Sequence, residues 1–481
     1  MPSIIYSKWF NWIAIGSFFL GGLWTLLTQE PYWLAIPFIL VLAYPLFQFV
    51  VTKTEQLYWL LLIVLPLSTE YNFTPSLGLD LPDEPLLIIL SITVFAGILY
   101  QPAQYKFIFA SPIIRWIIAL VIWMLISLCY APNQWLALKF ILAKSWYILP
   151  LVLLTALIHQ QSSNFKKTAL YLCVPMLIVV IQTLIRHAFY GFDFVAIKKT
   201  MGPFFRNHVN YSAMLVCLIP IGLLIHHFTH PLRTKKLIKI GLAIAFFGLF
   251  FAYSRGAWLA LLVGMIAYWS IKKNILGKTI LIGMITIFIA FVALINNNRF
   301  MRLAPEHDQT IFHENFSEHL NATIGLKDIS NAERIHRWVA GVRMVAEKPW
   351  TGFGANSFYN NYQPYTAAPF KTWVSNNPEH STVHNYFLLI AIEQGIPALL
   401  LFTGFFIYLL LLSQQLYHQF QNNYYRAISL GLGIMLLMIA SLNFTSDLIE
   451  TDKIGGLFWL AAGILISLKH HQQIEKEALA G

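Results

Sequence analysis

The sequence predicts an all-α polytopic membrane protein with about 12–14 transmembrane helices and one large hydrophilic loop. Two observations carry that expectation. Of 481 residues, 58% are hydrophobic and 11% charged, whereas a soluble domain carries about 25% charged residues. A globular surface in water keeps many charges outward, so the solvent for most of this chain is lipid. The apolar residues are also gathered into long runs, near the roughly 20 residues a helix needs to cross a bilayer core. Aromatic residues make up 15%, and Trp and Tyr gather at run ends, where amphipathic rings suit the interface.

The runs lie near 9–27, 32–51, 57–69, 85–100, 112–131, 135–159, 168–187 and 209–228, then 236–254, 256–271, 277–296, 396–413, 427–446 and 454–468. The first lacks a small-residue cleavage site and leads straight into the second, so it reads as a retained helix rather than a signal peptide. The chain thus divides into N-terminal spans (1–200), a central set (201–296), the hydrophilic loop (297–384) and C-terminal spans (385–481).

Charge sets the orientation. If the spans alternate, Arg233, Lys235, Lys236, Lys239, Lys272, Lys273 and Lys278 fall on one side, together with Lys8, Lys53, Lys106, Lys166 and Lys167. The opposing short loops at 28–31 and 70–84 carry only acids: Glu30, Glu70, Asp80, Asp83 and Glu84. The positive-inside rule then places both termini in the cytoplasm and the 297–384 loop outside. The same bias accounts for much of the net charge of +11. No nucleic-acid module is present, so nucleic acid is not an expected partner.

Cys129, Cys173 and Cys217 each sit inside an apolar run, without a CxxC or Cys/His spacing. His307, His313 and His319 recur at a spacing that does not align them on one helix face. With no Walker loop, GxSxG, HExxH or DxD signature, neither a metal site nor a cofactor is expected.

Within the loop, residues 330–348 read as an amphipathic helix. Ser330 and Glu333 fit a capping box, while Ile335, Trp338, Val339, Val342 and Val345 recur at helical spacing and predict the buried face. Arg337 and Arg343 lie elsewhere on the wheel and are expected in solvent. Pro349 ends the helix, and Gly352-Phe353-Gly354 permits a tight turn.

Five places could carry chemistry. Arg255, between two spans, is either a snorkelling arginine in a tight turn or a clamp forking onto phosphate oxygens. Arg334 shares a helix face with Trp338 and sits in a first turn, where free amides also favour an anion. His384, beside Asn385 at the start of an apolar run, is a structural histidine or a general base suited to proton transfer near neutral pH. The segment 202–210 is basic against the usual bias, through Arg206 and His208 with nearby Lys198 and Lys199. Finally, Lys139 and Lys144 lie inside an apolar run, where a charge is a functional hypothesis by default. Their spacing sets them about 140° apart on a helix, so they need not share a partner.

Read in order, SRGAWLALLVG (254–264), R-x-x-x-W (334–338), PWTGFGANSF (349–358) and HNYFLLIAIEQGIPALLLF (384–402) resemble the O-antigen ligase and polymerase family. The likeness covers about residues 200–410. It implies a GT-C-like glycosyltransferase of the bacterial inner membrane, inverting and metal-independent, working at the periplasmic face. The implied donor is a glycan on undecaprenyl pyrophosphate. The implied acceptor is a hydroxyl of a lipid A–core sugar, of another lipid-linked glycan or of a protein side chain, and the motifs do not separate ligase, polymerase and protein O-oligosaccharyltransferase. By resemblance, arginines hold the pyrophosphate and a loop histidine acts as base. Arg255 matches the SRG arginine, Arg334 the R-x-x-x-W arginine and His384 the HN histidine; Arg206, Lys139 and Lys144 are looser matches as pyrophosphate ligands, resting partly on charge. The chain departs from the family in having more runs than the twelve spans of a ligase, and residues 359–383 match no family motif. A lipid-linked oligosaccharide flippase is the alternative; it would show an internal repeat between its halves, which this sequence lacks.

Overall fold

The computed structural model describes residues 8–28, 49–74, 77–296, 300, 329–366 and 382–480. Its helices, in chain order, are α1 (Lys8–Thr28), α2 (Thr54–Val64), α3 (Asp83–Tyr100), α4 (Pro102–Phe109) and α5 (Pro112–Leu128). They continue with α6 (Gln134–Ile158), α7 (Ser163–Ala188), α8 (His208–Phe228), α9 (Leu232–Phe250) and α10 (Arg255–Lys272). The remainder are α11 (Leu276–Ile295), α12 (Ile329–Glu347), α13 (Tyr386–Gln419), α14 (Asn423–Phe444) and α15 (Asp452–Ala480). Among the described residues, eight helices are long and apolar enough to cross a membrane: α3, α6, α7, α8, α11, α13, α14 and α15. The helices α4 and α5 pass the same length and composition test only when taken together across a 90° bend. The apolar stretches of α1 and α2 are shorter, and α9 and α10 have span length with cations near their ends. Each expected run therefore coincides with a helix except that at 32–51, most of which lies outside the described residues. Most of the long loop, including His307, His313 and His319, also lies outside them.

Local chemistry explains where these helices start. Asparagine caps four of them: Asn133 for α6, Asn207 for α8, Asn385 for α13 and Asn422 for α14, each side-chain oxygen accepting a first-turn N–H. Pro150 has no N–H to give α6, and the helix widens into a π turn over Leu149–Leu154. Between α2 and α3, β1 (Thr69–Thr74) and β2 (Leu77–Leu81) form an antiparallel hairpin that sets Glu70 opposite Asp80.

The core is built around α15, which is buried over most of its length, with α13 and α14 beside it. Small residues let these helices approach closely, as membrane packing requires. A Cβ on Gly264 of α10 would lie 2.9 Å from the Met438 sulfur of α14, and one on Gly433 of α14 would lie 2.7 Å from Ile271. These contacts fix α10 and α14 antiparallel. One end of the bundle carries Lys272 and Lys273, with His418 Nε2 2.8 Å from the Ile271 carbonyl. The opposite end gathers the starts of α10, α13 and α15 and the end of α14.

Across that second end lies α12, and its orientation corrects the sequence expectation. The helix starts at Ile329, so Ser330 falls inside it rather than at its cap. Its buried residues are Glu333, His336, Arg337, Val339, Ala340 and Met344. Ile335, Trp338, Val342 and Val345 are only half-buried. The crossing point decides the rotation: a Cβ on Gly341 would stand 2.7 Å from Ile392 and 3.1 Å from Leu388 of α13. With Gly341 pressed on α13, the flanking polar residues turn inward, toward the helix starts.

Candidate active site

His384 is placed by the start of α13. Asn385 caps the helix, its Oδ1 accepting from Leu388 N–H at 3.1 Å. The residue before the cap, His384, takes a left-handed backbone (φ 52°), which costs a non-glycine residue roughly 1–2 kcal/mol. Neighbouring bonds hold it there. His384 N–H donates to Thr382 Oγ1 at 3.2 Å, and Tyr386 N–H donates to the Ser446 carbonyl at 3.1 Å. The second bond ties the start of α13 to the turn between α14 and α15. That turn brings in Asp447, whose Oδ1 lies 3.9 Å from His384 Nδ1. Thr382 Oγ1 donates to the other carboxylate oxygen at 2.7 Å. The turn is itself braced, since Ile449 N–H donates to Asn443 Oδ1 at 2.9 Å.

The electrostatics divide the pair into a neutral base and an ionised partner. Burial pushes the His384 imidazole below its ordinary value; Asp447 opposes that, while Arg334 and Arg337 add to it. For Asp447, burial pushes the carboxyl up, but His384 and the Thr382 hydroxyl outweigh it, and the net direction is down. A carboxylate facing Nδ1 favours the tautomer with its proton there, leaving Nε2 as the acceptor.

Cations surround this histidine. Arg337, expected in solvent, is buried and donates through Nη1 to the Thr382 carbonyl at 3.3 Å. Arg334, one turn earlier on α12, is half-buried, and the fields of both arginines reach the imidazole. Trp338 packs edge-on against Phe444, with centroids 5.5 Å apart, which holds α12 over the end of α14. Arg255 opens α10, whose antiparallel packing on α14 puts its start at the same end of the bundle as the Asp447 turn. Arg343 remains exposed and donates to the Tyr365 carbonyl at 2.9 Å.

The other cations fall in different surroundings. Lys144 is buried and donates to Glu450 Oε2 at 2.8 Å, one turn beyond Asp447. Lys139 is exposed, 5.5 Å from the Trp135 ring. Arg206 is exposed and pairs with Glu70 at 3.0 Å. Beside it lies a second polar patch, where Lys453, 4.9 Å from the Phe205 ring, donates to Ser68 Oγ at 2.6 Å and Ser68 Oγ donates to Asp452 at 3.0 Å. There burial, reinforced by Asp452, pushes Asp80 up to about 7.

The structure therefore brings Arg334 and His384 together and adds Arg337, Asp447 and Glu450. The acids had a sequence signal: three carboxylates and a lysine crowd into SDLIETDK (446–453) between two apolar runs. Among the described residues, no group of three or more His, Cys, Asp or Glu is arranged to hold a metal ion. Chemically the arrangement can take a proton at His384 and stabilise an anion between the arginines.

No curated protein matches the chain. Residues 240–403 match the family model described as O-Antigen ligase, a stretch that includes Arg255, Arg334 and His384.

Proposed function

We propose, from the match of residues 240–403 to the O-Antigen ligase family model, a glycosyl transfer centred on His384. The observation that carries it is a half-buried histidine, its imidazole pushed below the ordinary value, with an aspartate facing Nδ1 and two arginines on the facing helix. The donor is a glycan on a polyprenyl pyrophosphate and the acceptor is a sugar or side-chain hydroxyl. His384 Nε2 takes the acceptor's proton as its oxygen attacks the anomeric carbon from the face opposite the pyrophosphate. The C–O bond to phosphate breaks, its electron pair leaves with the pyrophosphate, and the configuration inverts. Asp447 holds the imidazole in the accepting tautomer and stabilises the imidazolium that forms.

Leaving pyrophosphate gathers negative charge, and fixed cations in a site of low dielectric stabilise that charge as it develops. Arg334 and Arg337 supply it from α12, and Arg255 from the opening turn of α10. Lys144 is already neutralised by Glu450, and Arg206 lies exposed on Glu70, so neither is the principal ligand. The difference in charge between the two ends supports a site on the periplasmic side, because Lys272 and Lys273 mark the other end as cytoplasmic.

The test is release of polyprenyl pyrophosphate by the purified protein from a lipid-linked glycan donor in the presence of an acceptor. Transfer with release, abolished by Arg334→Ala or His384→Ala, is the expected result. Passage of intact donor across a liposome without cleavage would replace this reading by a flippase.

A further inference from the structure

Glu393 takes no part in the chemistry above, yet it is a buried acid inside a span, where an uncompensated carboxylate is costly. Its partners are main-chain amides from the segment after α12. Oε2 accepts from Asn356 N–H at 2.8 Å, and Oε1 accepts from Ser357 N–H at 3.0 Å and Phe358 N–H at 3.3 Å. The two main chains also pair directly. Phe353 N–H donates to the Ile392 carbonyl at 2.9 Å, Gly354 N–H to the Glu393 carbonyl at 2.8 Å, and Ile396 N–H to the Pro349 carbonyl at 2.7 Å.

These bonds exist because α13 breaks at Gly395 (φ +81°). The break frees carbonyls that an unbroken helix would use internally. Trp123 Nε1 of α5 takes the Gln394 carbonyl at 2.9 Å, and the 353–354 segment takes the two before it. No side chain fits at the junction: a Cβ on Gly395 would run into the Trp350 carbonyl, and one on Gly352 into the Glu393 main chain.

We propose that Glu393 is a positioning residue for the pyrophosphate-binding arginines, stapling residues 352–358 into the break in α13 and thereby fixing the helix that carries Arg334 and Arg337. The inference rests on the assignment of those arginines and His384 given above. With Gly341 on Leu388 and Ile392, and Pro349 on Ile396, the staple gives α12 a third attachment to the helix that begins beside His384. About 20 Å of helix separates the stapled end from Arg334, so a tilt of a few degrees there moves the guanidinium by about 1 Å. A displacement of that size costs on the order of 10²-fold in rate.

The experiment uses the full chain and the donor-cleavage assay, with thermal stability measured on the same samples. Glu393→Ala is expected to lower kcat about 10²-fold, and Glu393→Gln, which keeps one acceptor oxygen, to recover about tenfold of that loss. The deciding measurement repeats both substitutions in an Arg334→Lys background. If Glu393 acts through the arginines, the added loss there shrinks to about threefold or less, because groups that act as a unit are not additive. An equal loss in both backgrounds that follows the fall in thermal stability would overturn the proposal, as would full activity of Glu393→Ala. Should the alanine variant not fold, Glu393→Gln carries the same comparison. If Arg334→Ala and His384→Ala were also fully active, the assignment of the site would fail, not the staple alone.

Discussion

Two helices of the same apolar character, α11 and α13, have opposite surroundings. Along α11, Leu281, Ile282, Met284, Ile285, Ile287, Phe288, Ile289 and Val292 are all exposed, so the rest of the chain leaves nearly every face of the helix uncovered. By contrast, α13 is broken at Gly395, buries Glu393 and Gln394, packs against α5, α12, α14 and α15, and opens beside His384. Hydrophobicity alone tells only that both are bathed in hydrocarbon. The polar interruptions of α13 carry the architecture of the site, because each buried polar group in a membrane has to be satisfied by something the fold brings to it.

Substitutions along the two helices sharpen that contrast. The largest effect is expected at the head of α13: His384→Ala should lower kcat/KM about 10²–10⁴-fold, the usual worth of a positioned base. Arg337→Ala, which empties one side of the proposed anion site, should cost about 10²–10³-fold, and a loss confined to KM would mean that it binds donor without stabilising the departing charge. Asp447→Asn keeps the base but loosens its orientation, for about a 10–100-fold loss. The pH profile gives a smaller and more diagnostic change. Because burial pushes the His384 imidazole below its ordinary value, it stays neutral to lower pH than a free histidine does. Activity therefore falls only as the pH drops further and the proton blocks Nε2. An acid limb above pH 6.5, or one unchanged in Asp447→Asn, would contradict the pairing. The smallest effect belongs to α11: Phe288→Leu, on a lipid-facing site, should leave transfer within about twofold and stability within about 0.5 kcal/mol. A large loss there would erase the distinction between the two helices.

The spans were legible from the sequence because the bilayer imposes their length, and every expected run within the described residues falls on a helix. His384 was legible as a titratable group opening an apolar run, and Arg334 as a cation in the first turn of the loop helix, on one face with Trp338. Arg337 was not. Its environment is set by Gly341 pressing α12 onto α13, a contact between residues distant in sequence, and the apolar spacing of Ile335, Trp338 and Val342 pointed to a different face. Asp447 and Glu450 lie in a short connection that reads as an ordinary turn; only the Tyr386–Ser446 bond and the fold of α14 onto α13 place them beside His384 and Lys144. Glu393 was visible as a lone acid in an apolar run, but its partners are main-chain amides, which no side-chain pattern announces.

The match to the O-Antigen ligase family model ends at residue 403, while the aspartate facing His384 arrives from residue 447. A chimera that exchanged only the recognised segment would import a histidine and its arginines but borrow the carboxylate from another lineage. If Asp447 orients His384 as proposed, a graft of that segment needs the last two helices to bring its own carboxylate.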